Sequence, residues 1–358
     1  DPREGTNDGR QALMLGGSSS GIGTAASFWA ANVGTETSGS ILVPANFVML
    51  VGIKPTVGRV SRSGIIPLTA DQDTAGPMAR TVTDAAILLG ALEGSVPDPN
   101  DPGLRACPVP AGRDYTPHLK RDGLKGARIG IPRAFFYDPV TPPGETAPRG
   151  GLTPDQAAAM AEAIEVLRRE GAVLVDPADI PSVVDPDPDT NFLKWNICSG
   201  VPGRKGEDAA CSVVFRYGMK RDFNAWLRSL GPSAPVKTLR ELRSFNLAHQ
   251  ARGAIKYGQA QLEMDVDAAM QAHRLDAILF PGASGASIAA RPGYPSIIVP
   301  FATVPNTPTP PFPEGFAAPP APSGITFTGA ACSEPRLIEL GYAFEQATKR
   351  RVPPPSTP

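Results

Sequence analysis

Histidine and cysteine are scarce: the 358 residues hold three of the first and four of the second. His118, His249 and His273 lie far apart and none opens an H-E-x-x-H helix, and no cysteine belongs to a C-x-x-C pair. No metal site, cofactor or histidine-based mechanism is therefore expected. Cys107, Cys198, Cys211 and Cys332 are too dispersed for a dense disulfide framework, so buried free thiols are the expected state. Long apolar runs are missing too. Stretches such as Phe47–Val51 and Ala85–Leu89 fall far short of the roughly 20 residues a membrane helix needs, so no membrane partner is expected. Charge of one sign is also lacking: 34 basic against 35 acidic residues leave a net −1, which gives no reason to expect a nucleic-acid partner. The opening DPREGTNDGR has neither a basic start nor an apolar stretch, so it is no signal peptide, and a chain that starts at Asp1 is expected to begin inside a longer protein. Nothing here fixes a compartment, and the cytoplasm is the default expectation.

What the chain does have is glycine (37) and proline (41), together about 22% of its residues, with 41% apolar residues to build a core. This is the composition of a loop-rich globular protein. Gln11–Leu15 reads as a short strand, Ile22–Ala31 as a small-residue helix and Val48–Ile53 as a buried strand. Residues 81–84 (TVTD) resemble a helix start, with the helix running to Leu92. Ala127–Ile131 reads as a strand. Thr153, Pro154 and Gln156 then spell a capping box that opens a helix, Gly171 closes it, and Ala172–Val175 follows as a strand, an α/β pattern. Segment 238–273 is mostly helical by composition, Ala277–Phe280 and Pro295–Pro300 are short strands, and Glu334–Thr348 is a last helix before a frayed tail. Val304–Pro322, with eight prolines, is expected to be an extended surface loop.

The sharpest local signal is the loop from Gly16 to Gly23, GGSSSGIG. A phosphate-gripping loop needs Gly-Lys-Ser/Thr at its end, and here Gly21 is followed by Ile22. A dinucleotide-binding turn of the short-chain dehydrogenase kind needs a Tyr-x-x-x-Lys pair, and none of the six tyrosines has a lysine four residues on. Serine nucleophile chemistry remains. Twenty-two residues after Ser18 comes a second small-residue turn ending at Ser40, so two hydroxyls and a row of backbone amides can be brought together.

At this point the residues carry a resemblance. GGSSSG, GTETSGSILVP, VGIKPTVGRVSRSGIIP and DQDTAGPMARTVTDAA, almost continuous over residues 16–90, resemble the amidase signature family. DAILFPG (276–282), GYPSIIVP (293–300), SGITFTG (323–329) and YAFEQAT (342–348) resemble its C-terminal blocks, and residues 95–270 are the least distinctive. The resemblance implies an α/β fold, the amidase-signature fold, with a large mixed β-sheet flanked by α-helices, here as one N-terminally truncated domain over 1–358.

It also implies a metal-free Ser–Ser–Lys mechanism. Ser40 maps onto the nucleophile, and Ser18, held by a cis peptide bond in relatives, onto the bridging serine. The backbone amides of Thr37, Ser38, Gly39 and Ser40 map onto the oxyanion hole. The Ser18–Ser40 spacing is two residues shorter than the family pattern, about 3 Å of helix if all of it were lost there. The family's lysine lies several dozen positions before the first serine loop, outside this chain. Lys54 is read as a structural corner, Glu36 and Asp73 as loop-bracing carboxylates, and Arg59 and Arg62 as members of structural pairs. The expected activity is hydrolysis of a carboxamide to a carboxylate and ammonia or an amine. The GTETSGSI turn resembles the peptide-amidase-like branch, with a small-molecule or peptide amide as substrate and a homodimer left open. Two other readings stay open: the glutaminase subunit of a tRNA amidotransferase, and a non-catalytic remnant that lacks the lysine.

Overall fold

The computed structural model describes residues 13, 16–18, 20–94, 98–101, 107–194, 217–248, 266–308 and 311–354. Its strands are β1 (Ala31–Glu36), β2 (Val51–Lys54), β3 (Thr74–Ala79), β4 (Arg128–Gly130), β5 (Pro139–Val140), β6 (Arg149–Gly150), β7 (Val173–Val175), β8 (Ala277–Pro281), β9 (Ser296–Val304) and β10 (Ala321–Thr328). The helices are α1 (Gly21–Ala25), α2 (Leu42–Phe47), α3 (Val82–Leu92), α4 (Pro154–Arg169), α5 (Pro181–Val184), α6 (Met219–Ser229), α7 (Leu239–Ala248), α8 (Val266–His273), α9 (Ala286–Ala290) and α10 (Glu334–Thr348).

Eight strands form one mixed sheet in the order β1-β3-β2-β9-β10-β8-β4-β7, and β5 pairs with β6 in a separate ribbon. The β1 to β8 side is antiparallel throughout, whereas β4 lies parallel to both β8 and β7. The parallel pair β4–β7 is joined through α4, the strand–helix–strand unit that the capping box and Gly171 announced. In α4, Thr153 accepts the Gln156 N–H while the Gln156 side chain accepts the Thr153 N–H, so two otherwise orphaned donors are satisfied. Thr81 caps α3 in the same way, accepting from the Asp84 N–H.

Strands β2 and β8 are buried along their whole length, as expected of strands with helices on both faces. Helix α10 packs on β9 and α3 on β3, and the core runs through Ile53, Leu89, Ile129, Leu167, Phe280, Ile297, Phe327 and Phe344. Beneath this core, Arg59 donates to Glu93, to Glu334 at 2.9 Å and to the Tyr115 hydroxyl, all buried. Arg62 pairs with Asp101 at 2.6 Å. Both arginines are thus held in structural pairs.

Four expectations are corrected. The helix-like reading of Ile22–Ala31 fails after Ala25: the chain turns back, Phe28 N–H donates to Gly23 O at 2.9 Å, and β1 starts at Ala31. A Cβ on Gly23 would lie 2.1 Å from the exposed Trp29 ring, which packs over the glycine where the chain reverses. The strand expected at Val48–Ile53 starts only at Val51, because residues 48–50 close α2 and Met49 takes φ +54°. The proline-rich segment is a loop only between its ends. Val304 pairs with Ala321 and Thr303 with Pro322, so the loop links two hairpin strands, and a register shift between Ser323 and Ile325 accommodates the proline-bearing end.

The fourth correction concerns the thiols: Cys107 and Cys332 form a disulfide, with Cα atoms 5.3 Å apart across 225 positions of sequence. Distance along the chain hid a contact that the fold creates between the loop before Tyr115 and the start of α10. Cys198 and Cys211 lie outside the described residues, as does most of the Gln11–Leu15 strand reading. Cys332→Ser is expected to lower unfolding free energy by about 2–4 kcal/mol, read from denaturant midpoints with and without reductant. Equal midpoints for both proteins under oxidising conditions would contradict this.

Candidate active site

The two serine turns meet. Ser18 N–H donates to Ser40 O at 2.8 Å, so the loop that opens at Gly16 lies directly against the turn between β1 and α2. Gly17 makes that approach attainable. It has φ +86°, and a Cβ there would stand 2.4 Å from Ser40 Cα and 2.7 Å from Ser40 Cβ and O. Gly39, also at φ +86°, turns the chain from β1 into α2.

The turn Thr37–Ser40 has an uncommon distribution of backbone donors. Ile41 and Leu42 give their N–H groups to Glu36 Oε2, at 2.7 and 3.0 Å. Val43 N–H continues to Gly39 O at 2.7 Å. The four preceding N–H groups, on Thr37, Ser38, Gly39 and Ser40, have no acceptor among the described residues. Four consecutive backbone donors thus stand without an acceptor among the described residues, next to the Ser40 side chain.

The hydroxyls themselves are placed differently. Ser40 Oγ makes no hydrogen bond among the described residues, and Ser40 is half-buried. Ser18 Oγ accepts from Thr35 N–H at 2.9 Å and donates to Thr35 O at 3.0 Å, so it is held by β1 and not by Ser40. Ser18 thus reaches Ser40 through its backbone. The Gly17–Ser18 peptide is trans, since Asp176–Pro177 is the one cis bond among the described residues, a departure from the relatives' pattern expected above.

Two neighbours of the turn come from the segment before β3. Asp73 Oδ1 accepts the Thr37 hydroxyl at 2.5 Å, and its Oδ2 accepts the N–H groups of Leu68 and Thr69, both at 2.8 Å. Gln72 Nε2 donates to Thr37 O at 3.2 Å. Burial pushes the Asp73 carboxyl up to about 6, partly offset by the Thr37 hydroxyl, the two N–H groups and Arg62. A carboxyl raised by folding holds a proton that the unfolded chain has released between its ordinary value of 3.8 and about 6. Its contribution to stability is complete below that window and is lost as pH rises through it. The stability difference between wild type and Asp73→Asn should therefore shrink from pH 4 to pH 6 and stay level above pH 7, measured by denaturant unfolding at each pH. A difference independent of pH would contradict it.

Glu36 and Asp73 thus brace loops, as expected from the motif blocks. Lys54 is fully buried at the end of β2 and donates to Tyr294 O at 2.9 Å. The C-terminal part of the chain also reaches the turn and α2. Ser38 Oγ reaches Ser287 Oγ of α9 at 3.5 Å, and Asn46 of α2 is bonded to Pro322 O and Gly324 N–H on β10. Sequence reasoning singled out neither Gln72, Ser287 nor Asn46. Gln72 alone left a trace, as part of the DQDTAGP block.

Comparison with known proteins agrees with this architecture. The family model described as Amidase matches residues 6–338. A protein of Arabidopsis thaliana described as a probable amidase is 31% identical over 94% of this chain and 61% of its own length. A glutamyl-tRNA(Gln) amidotransferase subunit from Trichlorobacter lovleyi is 45% identical, over 45% of this chain and 30% of its own. The solved peptide amidase of Stenotrophomonas maltophilia superposes with a TM-score of 0.71 at 31% identity, covering 96% of this chain and 68% of that one. The chain spans about three-fifths of the length of the curated relatives that it matches along most of its own. With the motif blocks, the mixed sheet and the family model in agreement over most of its residues, the chain belongs to the amidase family.

Proposed function

We infer that the protein carrying this chain hydrolyses a carboxamide, a peptide amide or a small primary amide, with Ser40 as nucleophile. The observation that carries the reading is the row of four N–H groups at Thr37–Ser40 that have no acceptor among the described residues, beside the Ser40 hydroxyl. Ser40 Oγ attacks the amide carbon and its proton leaves through the Ser18 hydroxyl to a basic lysine. The carbonyl oxygen gains negative charge against the four donors. Collapse returns the proton to the departing nitrogen, breaks the C–N bond and leaves an acyl ester on Ser40. Water, deprotonated along the same relay, then cleaves the ester and restores the serine.

In this proposal the lysine is one that lies outside this chain. Lys54 is engaged with backbone carbonyls at a strand end, which suits a structural part. For the relay to work, the Ser18 hydroxyl has to rotate from Thr35 toward Ser40, a change of one side-chain torsion. Supporting this, the two residues are already joined through Ser18 N–H and Ser40 O.

The 45% identity to an amidotransferase component over less than half of the chain favours a second reading, a glutaminase subunit that works with partner proteins. Full-length protein incubated with peptide amides, primary amides, anilides and glutamine, with acid and ammonia or amine assayed, tests both. Turnover of peptide or primary amides by the protein alone supports the first reading. Turnover of glutamine only, and only in a larger assembly on gel filtration, supports the second. No turnover of any of them would overturn both.

A further inference from the structure

We propose that Gln72 is a positioning residue for the oxyanion cradle, acting on Ser38 N–H through the carbonyl of Thr37. This rests on the reading of Ser40 as nucleophile and adds to it a residue outside the two serine turns.

A trans peptide is planar, with its C=O and N–H pointing in opposite directions. Whatever grips the carbonyl of one residue therefore aims the N–H of the next. Gln72 Nε2 holds Thr37 O at 3.2 Å. The Thr37–Ser38 peptide is consequently turned so that Ser38 N–H faces away from Gln72, toward the side where it has no acceptor among the described residues. The same device recurs in the turn. Ser18 N–H holds Ser40 O, and the next N–H, that of Ile41, points to Glu36. Val43 N–H holds Gly39 O, which turns Ser40 N–H away from α2.

Gln72 is suited to the task. It is buried, so its amide donor competes with little water. Its own N–H donates to Thr69 O at 3.2 Å, which fixes its backbone in the turn before β3. Its neighbour Asp73 grips the Thr37 hydroxyl, so adjacent residues hold one threonine by its two oxygens. The Asp73 grip fixes the position of Thr37, and the Gln72 grip fixes how the following peptide is rotated. Without the second, the plane can swing about the bonds on either side and the Ser38 donor loses its aim.

The test uses full-length protein with Gln72→Leu and Gln72→Met, which fill the space but carry no donor. Losing the aim of one oxyanion donor should lower kcat roughly 10- to 100-fold, less than outright removal of a donor. KM should stay within about twofold, because the donor works harder in the transition state than in the ground state. A peptide aldehyde, which forms a tetrahedral adduct with a serine hydroxyl, should bind more weakly by the same factor as kcat/KM falls. Thermal midpoints should be near wild type for at least one variant, which separates positioning from folding. Wild-type kcat in a folded variant, a loss confined to KM, or unchanged aldehyde affinity would overturn the proposal. Ser40→Ala is run in parallel. If that variant keeps turning over, the nucleophile reading fails; if it is inactive while the Gln72 variants are normal, only the role of Gln72 fails.

Discussion

Replacing Ser40 with alanine should lower kcat by roughly 10⁴- to 10⁶-fold in the full-length protein, the scale on which serine hydrolases lose their nucleophile. The variant should fold as well as wild type. Ser40 Oγ has no hydrogen bond among the described residues, so nothing buried is orphaned, and unfolding free energy should move by no more than about 0.5 kcal/mol. Ser18→Ala is expected to behave differently. It removes both contacts to Thr35 and leaves that backbone pair without its side-chain partner, a loss of about 1 kcal/mol. Its activity should fall nearly as far, because no hydroxyl then connects nucleophile and base. Burst kinetics with an activated ester and denaturant unfolding on the same preparations separate the two effects. A Ser40→Ala protein retaining more than about one-hundredth of wild-type turnover would place the nucleophile elsewhere.

Gly17→Ala should be nearly as damaging, although it removes no functional group. The new methyl would need space 2.4 Å from Ser40 Cα, and the residue would sit at φ +86°, where a side chain is strained. The contact is with backbone, which has no rotamer by which to escape. Either the first loop withdraws and breaks the bond from Ser18 N–H to Ser40 O, or the Thr37–Ser40 turn shifts as a unit. A displacement of about 1 Å in a catalytic turn costs on the order of 100-fold in rate. Unfolding free energy should fall by about 2–4 kcal/mol, from strain plus the lost contact. Gly16→Ala is the matched control. Its methyl would meet nothing within 4 Å, and its φ lies outside the left-handed region, so rate and stability should hardly change. Equal effects at the two positions would refute the packing argument.

The parts of the fold that were legible in the sequence share a physical trait: their signal is local. The capping box at Thr153, the threonine cap at Thr81 and the buried apolar runs at β8 and β9 each announce themselves within a few residues. Among the strands that escaped notice, β1 and β3 are built largely from alanine, glycine, threonine and proline with no apolar alternation. Their identity comes from pairing with each other and from β3's place beside β2. At the candidate site, the motif blocks named both serine turns and both bracing carboxylates. The grip of Gln72 on Thr37 and the contact between Cys107 and Cys332 depend on which segments meet in space, and spacing along the chain does not encode that.

During synthesis on the ribosome, one of these pairings must wait. Strand β2 is hydrogen-bonded on one side to β9, with Gly52 opposite Ile298. At about 5–20 residues per second, translation takes on the order of 10–50 seconds to deliver that neighbour, during which the border of β2 stays open on the nascent polypeptide. Strand β10 arrives later still, so a chain stalled or cleaved before residue 296 would present an unfinished sheet to chaperones and proteases.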